Sequence, residues 1–138
     1  MILLRIILNK MDTIPNRNTK QRQVVLTELR NVYSHPTAQQ IHKLVNKGKN
    51  KIALATVYRT LDFLEGKGLI IKLRTKNKEA RYDGNPERHC HLFCKKCGHV
   101  DDIFDITNIF IGSKALKKSK FRIHYDFLEL HGLCHSCQ

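Results

Sequence analysis

Apolar side chains recur at helical spacing through the first part of the chain and at strand spacing after it. Val25, Leu29 and Val32 fall at i, i+4 and i+7, with Leu26 and Tyr33 alongside. Asn18-Thr19 offers a cap, so a helix is predicted over about 19–34. His35-Pro36 breaks it, because proline disfavours helical geometry in the residue before it. Thr37-Ala-Gln-Gln40 has the form of a capping box, and Ile41, Leu44 and Val45 give a short second helix its buried stripe. After a turn at Gly48 and Asn50, Val57, Leu61 and Leu64 define a third helix over about 53–66, ended by Gly66 and Gly68. Leu69–Leu73 then reads as a strand and Lys76-Asn-Lys-Glu79 as a polar turn, and a second short strand runs to Tyr82. Three helices followed by a hairpin is the order of a winged helix-turn-helix.

Asp83-Gly-Asn-Pro-Glu87 reads as a linker. Beyond it, His89-Cys-His-Leu-Phe-Cys94 alternates. Strand-like segments follow at 99–104 and 121–131, with a helix-like stretch from Ile106 to about Lys118 between them. The pattern predicts an α+β chain. A winged-helix domain spans 1–83, with 1–16 as an N-terminal extension, then a hinge at 84–88 and a small α/β domain at 89–138. The second domain is too thin to stand easily alone, and pairing with a second copy would cover its sheet edge. No internal repeat or low-complexity tract is visible. The apolar run over residues 1–10 is too short to span a membrane and lacks a signal-peptide cleavage pattern, which makes the cytoplasm the default location. Met11 as the true start, or a packed or dimer-stabilising extension, both fit this run.

Charge sharpens the division. Residues 1–83 carry 17 basic and 6 acidic side chains, whereas residues 84–138 carry 8 and 6. A positive field confined to the winged helix suits a polyanion, because neutralising phosphates releases condensed counterions. In a helix-turn-helix the second helix of the pair enters the major groove. Here it carries Ala55-Thr-Val-Tyr-Arg-Thr60. With Val57 and Leu61 inward, Thr56, Tyr58, Arg59 and Thr60 lie largely on other faces. Arg59 suits guanine, Tyr58 a thymine methyl or a phosphate, and the wing residues Lys76 and Lys78 suit phosphate. Simple solvent exposure of these residues, or a winged helix that binds protein, is the alternative; the charge asymmetry favours DNA. An enzyme would leave the basic half unexplained, and no nucleophile–base arrangement stands out.

Four of the five cysteines form two Cys-x-x-Cys pairs, Cys94/Cys97 and Cys134/Cys137. Each pair can grip one metal from a tight turn, and together they give a tetrahedral sulfur site that favours zinc and leaves no position open for catalysis. Disulfides and an iron–sulfur cluster are the competing readings. The 36 residues between the pairs exceed a simple zinc ribbon and must hold structure of their own. A second set of candidate ligands is looser. His89 and His91 share one strand face, Asp101-Asp102 lies just after the first cysteine pair, Asp83 ends the wing, and His35 sits at the helix break. Imidazole with carboxylate suits Fe(II), Mn(II) or Zn(II), although scattered His and Asp residues are commonly surface or hydrogen-bonding groups.

Assembled, these stretches resemble the ferric uptake regulator family. They are His35-Pro-Thr-Ala38, Ala55-Thr-Val-Tyr-Arg-Thr-Leu61, Arg81-Tyr-Asp83, His89-x-His91, Cys94-x-x-Cys97-Gly98 and Gly132-x-Cys134-x-x-Cys137, over about residues 17–137. The resemblance implies a metal-dependent homodimeric repressor, not an enzyme, that binds a palindromic double-stranded DNA operator. It implies a structural zinc on the four cysteines and a regulatory Fe(II) or Mn(II) on His35, Asp83, His89, His91 and Asp102. Such a metal would fix the angle between reader and dimerisation module. Iron sensors of the family often carry Glu at both carboxylate positions. Asp at both, as here, is similar to the peroxide-responsive branch, in which bound Fe(II) and hydrogen peroxide oxidise a ligand histidine. Iron, zinc or manganese sensing without peroxide chemistry is the alternative within the family. A further His/acid site common in the family would fall on Arg88, Cys90 and Asp126, where Arg is a poor ligand. Cys90 reads as an inert buried thiol or as an additional redox-sensitive group.

Overall fold

Val25, Leu29, Ile41, Val57, Leu61 and Leu64 are all fully buried, and they draw three helices around one apolar core. The computed structural model describes residues 19–49, 51–75, 79–104, 118 and 128–138. The helices are α1 (Thr19–Arg30), α2 (Ala38–Val45) and α3 (Leu54–Gly66), followed by the antiparallel strands β1 (Ile71–Arg74) and β2 (Ala80–Asp83). The result is a winged helix-turn-helix, and the chain as a whole is α+β. It divides into two compact units between Pro86 and Glu87, a point inside the 84–88 stretch.

Local chemistry sets the element ends, and in three places it departs from the periodicity. Helix α1 stops at Arg30, not near 34. The Asn31 and Val32 amides tighten onto Thr27, Glu28 and Leu29 carbonyls, and His35 then adopts a left-handed φ of 50° ahead of Pro36. At the far end of α3, Gly68 takes φ 67°; its amide donates to Glu65 O, and the Leu69 amide donates to Leu64 O. This C-terminal motif uses the Leu69 amide, so β1 starts at Ile71 and not at Leu69. Asp83, read as the first linker residue, is the last residue of β2 and pairs with Ile71.

The capping box at Thr37 and Gln40 forms as expected, with Thr37 N donating to Gln40 Oε1 at 2.8 Å and Gln40 N to Thr37 Oγ1 at 3.3 Å. The turn into α3 is pinned by Asn46. Its amide nitrogen donates to the His42 and Ile52 carbonyls, both at 2.9 Å, and its Oδ1 accepts from Ile52 N at 2.8 Å. One side chain thereby closes the connection that aims the third helix.

The second unit contains a three-stranded sheet in the order β4-β3-β5: β3 (Cys90–Cys94), β4 (Val100–Ile103) and β5 (Leu128–Gly132). Strand β3 is antiparallel to β4 and parallel to β5. A short 3-10 turn, His135–Cys137, closes the chain. The helix expected over 106–118, most of it, and the first part of the 121–131 strand lie outside the described residues.

Candidate metal centres

The two Cys-x-x-Cys turns converge. Strand β3 ends at Cys94, and Gly98, at φ 74°, returns its amide to the Cys94 carbonyl at 3.0 Å, so Cys94 and Cys97 sit on one knuckle. Cys134 opens the 3-10 turn that carries Cys137. The Lys95 amide donates to Gly132 O at 2.8 Å, which fastens the two turns together. One sulfur from each of the four cysteines lies within 4.8 Å of all the others, with Cys97 and Cys134 at 3.6 Å. Metal–sulfur bonds of about 2.3 Å in a tetrahedron separate sulfurs by about 3.8 Å, so the cluster has the size for zinc. No cysteine is disulfide-bonded.

The thiols are electrostatically unequal. Backbone amides of Cys97 and then Cys134 hold the Cys94 thiol down to about 5. Cys137 is pushed up to about 12, chiefly by the hydrogen bond of its thiol to Cys134, and burial raises Cys134 as well. The amides thus favour a thiolate at Cys94, and a dication bound among the sulfurs would favour loss of the Cys134 and Cys137 protons.

A second set of ligand atoms gathers on the opposite end of β3. The β3–β4 register sets His91 against Asp102, and the alternation along β3 brings His89 to the same face. His89 Nε2 lies 3.0 Å from His91 Nε2 and 3.4 Å from Asp102 Oδ1, and His91 Nε2 lies 3.5 Å from the same oxygen. Both imidazoles are buried. Ligands about 2.1 Å from one ion stand about 3.0 Å apart at a right angle and about 3.4 Å apart at a tetrahedral angle, so this triangle fits a first-row cation. His89 also has its tautomer set. Its Nδ1 is 2.6 Å from the Glu87 carbonyl oxygen, which can only accept, so Nδ1 carries the proton and Nε2 presents a lone pair.

The first unit holds a further ligand pair. Tyr82 N donates to Pro36 O at 3.0 Å, and Thr37 bridges Arg81 in antiparallel fashion. This stitch runs His35-Pro36-Thr37 beside Arg81-Tyr82-Asp83 and leaves His35 Nε2 4.0 Å from Asp83 Oδ2. The other carboxylate oxygen accepts from Asn85 N at 2.8 Å, an Asx turn that fixes the rotamer of Asp83. Gly84 packs so tightly on the end of α1 that a Cβ there would stand 2.9 Å from Leu29 O and Arg30 N. Sequence reading passed over Asn85, Gly84 and the Glu87 carbonyl. An Asp-x-Asn spacing was a signal for the Asx turn; nothing in the sequence pointed to the other two.

On the expected reading face, Tyr58 is 39% exposed and Arg59 is also exposed, Thr56 is half-buried, and Arg59 Nη2 donates to Thr56 Oγ1 at 3.1 Å. Thr60 corrects the sequence-based expectation. It is 4% exposed, because it falls on the core side of the same helix with Val57, Leu61 and Leu64. Lys76 and Lys78 lie outside the described residues. No described helix is long and apolar enough to cross a membrane.

Comparison with known proteins agrees with these features. The model of the ferric uptake regulator family matches residues 15–131. The peroxide-responsive repressor PerR of Staphylococcus aureus (strain USA300) is 30% identical over 122 residues, which is 88% of this chain and 82% of that protein. Among solved structures, the ferric uptake regulator of Helicobacter pylori superposes with a TM-score of 0.80 at 26% identity, covering 98% of this chain and 94% of its own. The peroxide stress regulator of Campylobacter jejuni superposes with a TM-score of 0.73 at 28% identity, covering 99% and 100%.

Proposed function

The chain belongs to the ferric uptake regulator family of metal-responsive transcription regulators, and on that premise we propose that it is a peroxide-sensing repressor whose hold on DNA requires a divalent metal. The observation that carries this reading is the convergence of His89, His91 and Asp102 on one point, with the His89 tautomer already fixed by Glu87. Following the family's arrangement, one Fe(II) or Mn(II) draws on those three residues from the second unit and on His35 and Asp83 from the first. The four cysteines hold a separate structural zinc. Each half of the regulatory set is built by short-range contacts within its own unit. Binding energy is therefore available to restrict the reader relative to the dimerisation module, which is what a metal-gated operator fit requires. Tyr58 and Arg59 then contact the duplex, as does the wing.

The peroxide subtype rests on Asp at positions 83 and 102 and on the similarity to peroxide-responsive repressors. Bound Fe(II) supplies one-electron chemistry toward hydrogen peroxide. In balance, an imidazole C–H and H2O2 become a C–OH and water, so a ligand histidine gains one oxygen. The oxidised ring donates less well, the ligand set loosens, and DNA is released. The experiment is direct. Duplex binding by the zinc-loaded protein is measured with and without Mn(II) or Fe(II), and peroxide is then added. The reading expects metal-dependent binding with either ion. It expects a one-oxygen mass gain on peptides holding His35 or His89 and His91 in the iron form alone. Metal-dependent binding with no mass gain would leave an iron- or manganese-responsive repressor in place of the peroxide sensor. Equal DNA binding with and without metal would remove the repressor mechanism itself.

A further inference from the structure

Beside the exposed face of α3 lies a pocket of about 130 Å³ lined by Gln21, Arg22, Thr56, Arg59 and Thr60. Every described lining side chain can donate a hydrogen bond, and none of these is a carboxylate. Two arginines thus line one small concavity with no acid among its described lining residues. Such a wall favours an anion.

Both cations are held in place. The Arg22 guanidinium carbon sits 3.7 Å above the centre of the Phe63 ring, a cation–π stack that leaves its edge N–H groups available. Phe63 is one helical turn beyond Arg59 on α3, so the stack brings a residue of α1 to the face that carries Arg59. Arg59 spends one N–H on Thr56 Oγ1 at 3.1 Å. A guanidinium has five, so donors remain. Thr60 supplies a buried hydroxyl at the same pocket, which gives a role to a residue that cannot read a base edge.

Resting on the DNA-binding reading above, we propose that this pocket is a phosphate clamp: Arg22 of α1 and Arg59 of α3 together grip one backbone phosphodiester of the duplex that α3 enters. The geometry favours a polymer-borne phosphate because the pocket adjoins the exposed Tyr58–Arg59 segment, so a duplex that meets those residues carries phosphates along its rim. Paired N–H groups on a guanidinium match the two free oxygens of a phosphodiester. Arg22, which a reading confined to α3 and the wing leaves out, becomes a register-setting contact that carries no sequence information.

The test uses the full-length, zinc-loaded, Mn(II)-loaded protein. Binding is measured by fluorescence anisotropy across a range of salt, on a duplex selected from a random library and on an unrelated duplex. Arg22→Ala should weaken both duplexes by the same factor, about tenfold, and lower the slope of log K against log [salt] by about 0.9 per protomer. Phe63→Leu, which keeps Arg22 but removes its platform, should weaken both duplexes by a smaller equal factor and leave the slope unchanged. Arg22→Gln, with the same read-outs, covers the case in which Arg22→Ala fails to fold. An unchanged slope in a folded Arg22 variant, while the wild type binds metal-dependently, overturns the clamp and leaves the repressor reading intact. Loss of discrimination between the two duplexes overturns it too, because Arg22 would then be a base reader. If inorganic phosphate binds the DNA-free protein tightly, and loses that binding in Arg22→Ala while the duplex slope stays put, the pocket is a free-anion site and the duplex assignment falls. If the wild type binds neither duplex in any metal state, the clamp falls together with the DNA-binding reading.

Discussion

The two units are held together by different chemistry. In the first, thirteen buried residues from the three helices, β2 and the connections on either side of α3 form one apolar cluster. In the second, the buried set on the described strands is Cys90, Phe93, Cys94 and Val100, with the imidazoles of His89 and His91 enclosed beside them. Apolar burial at roughly 25 cal/mol per Å² can hold the first without help. The described residues of the second include the four cysteines and three further ligand candidates beside a small apolar set, and for a small module metal binding energy is folding energy. One consequence is a division of labour. On the proposed reading, the first unit would keep its shape without a metal, whereas the second would depend on one.

Zinc removal should break the contrast most sharply. Cys97→Ser, or chelation under reducing conditions, should unfold the second unit, with an effect on the order of 10 kcal/mol of binding energy. The helices of the first unit should persist. Limited proteolysis with far-ultraviolet circular dichroism checks this: cleavage should spread through 90–138 while α1–α3 stay protected. A second unit that stays protected without zinc would mean that a core outside the described strands holds it. Leu61→Ala is the reciprocal test. Leu61 is fully buried in the apolar cluster, and truncation should cost about 2–5 kcal/mol. The first unit should melt earlier while zinc stoichiometry stays at one per chain.

Gly84→Ala asks whether the ligand pair of the first unit depends on the packing that holds it. A methyl group would stand 2.9 Å from backbone atoms of Leu29 and Arg30, so the chain after Asp83 must lift off α1. We expect a cost of about 1–3 kcal/mol from overpacking and a weaker regulatory-metal affinity by isothermal titration, with the zinc unaffected. Unchanged affinity would show that Asp83 is placed by β2 pairing and the Asn85 amide without the Gly84 contact.

The two units were also unequally legible in the sequence. Helical periodicity around Val57, Leu61 and Leu64 and the Thr37–Gln40 box reported the first unit well, because local spacing and capping decide those elements. The cysteine pairs reported the four-sulfur cluster for a similar reason: two-residue spacing nearly forces a shared bite. Thr60 escaped because a helix offers a wide apolar stripe, and a Thr three residues after Val57 can fall inside it. Gly84 read only as part of a linker, whereas its small size serves a contact with Leu29 and Arg30, more than fifty positions away in sequence. The triangle of His89, His91 and Asp102 depends on strand register between β3 and β4, which alternation along one strand cannot specify.

The smallest expected effect concerns Cys90, which lies between two proposed ligands yet, by strand alternation, on the other face of the sheet. It is fully buried, its thiol is 3.8 Å from the His91 carbonyl oxygen, and burial raises its pKa above the ordinary 9.0. A protonated, enclosed thiol is a poor nucleophile. Iodoacetamide should therefore leave Cys90 unmodified in the folded zinc protein, as judged by peptide mass, and label it only after denaturation. Cys90→Ala should cost about 1 kcal/mol and leave metal-dependent DNA binding and peroxide response unchanged. The sign of the pH effect follows from the raised value. The neutral thiol is equally protonated in folded and unfolded chains at pH 7. Above its ordinary value the unfolded chain ionises first, so this residue erodes stability as the solution becomes alkaline, and the alanine variant should lose that part of the decline. Rapid labelling of Cys90 in the folded protein, or a peroxide response lost in Cys90→Ala, would instead make the second unit a thiol sensor as well as a metal site.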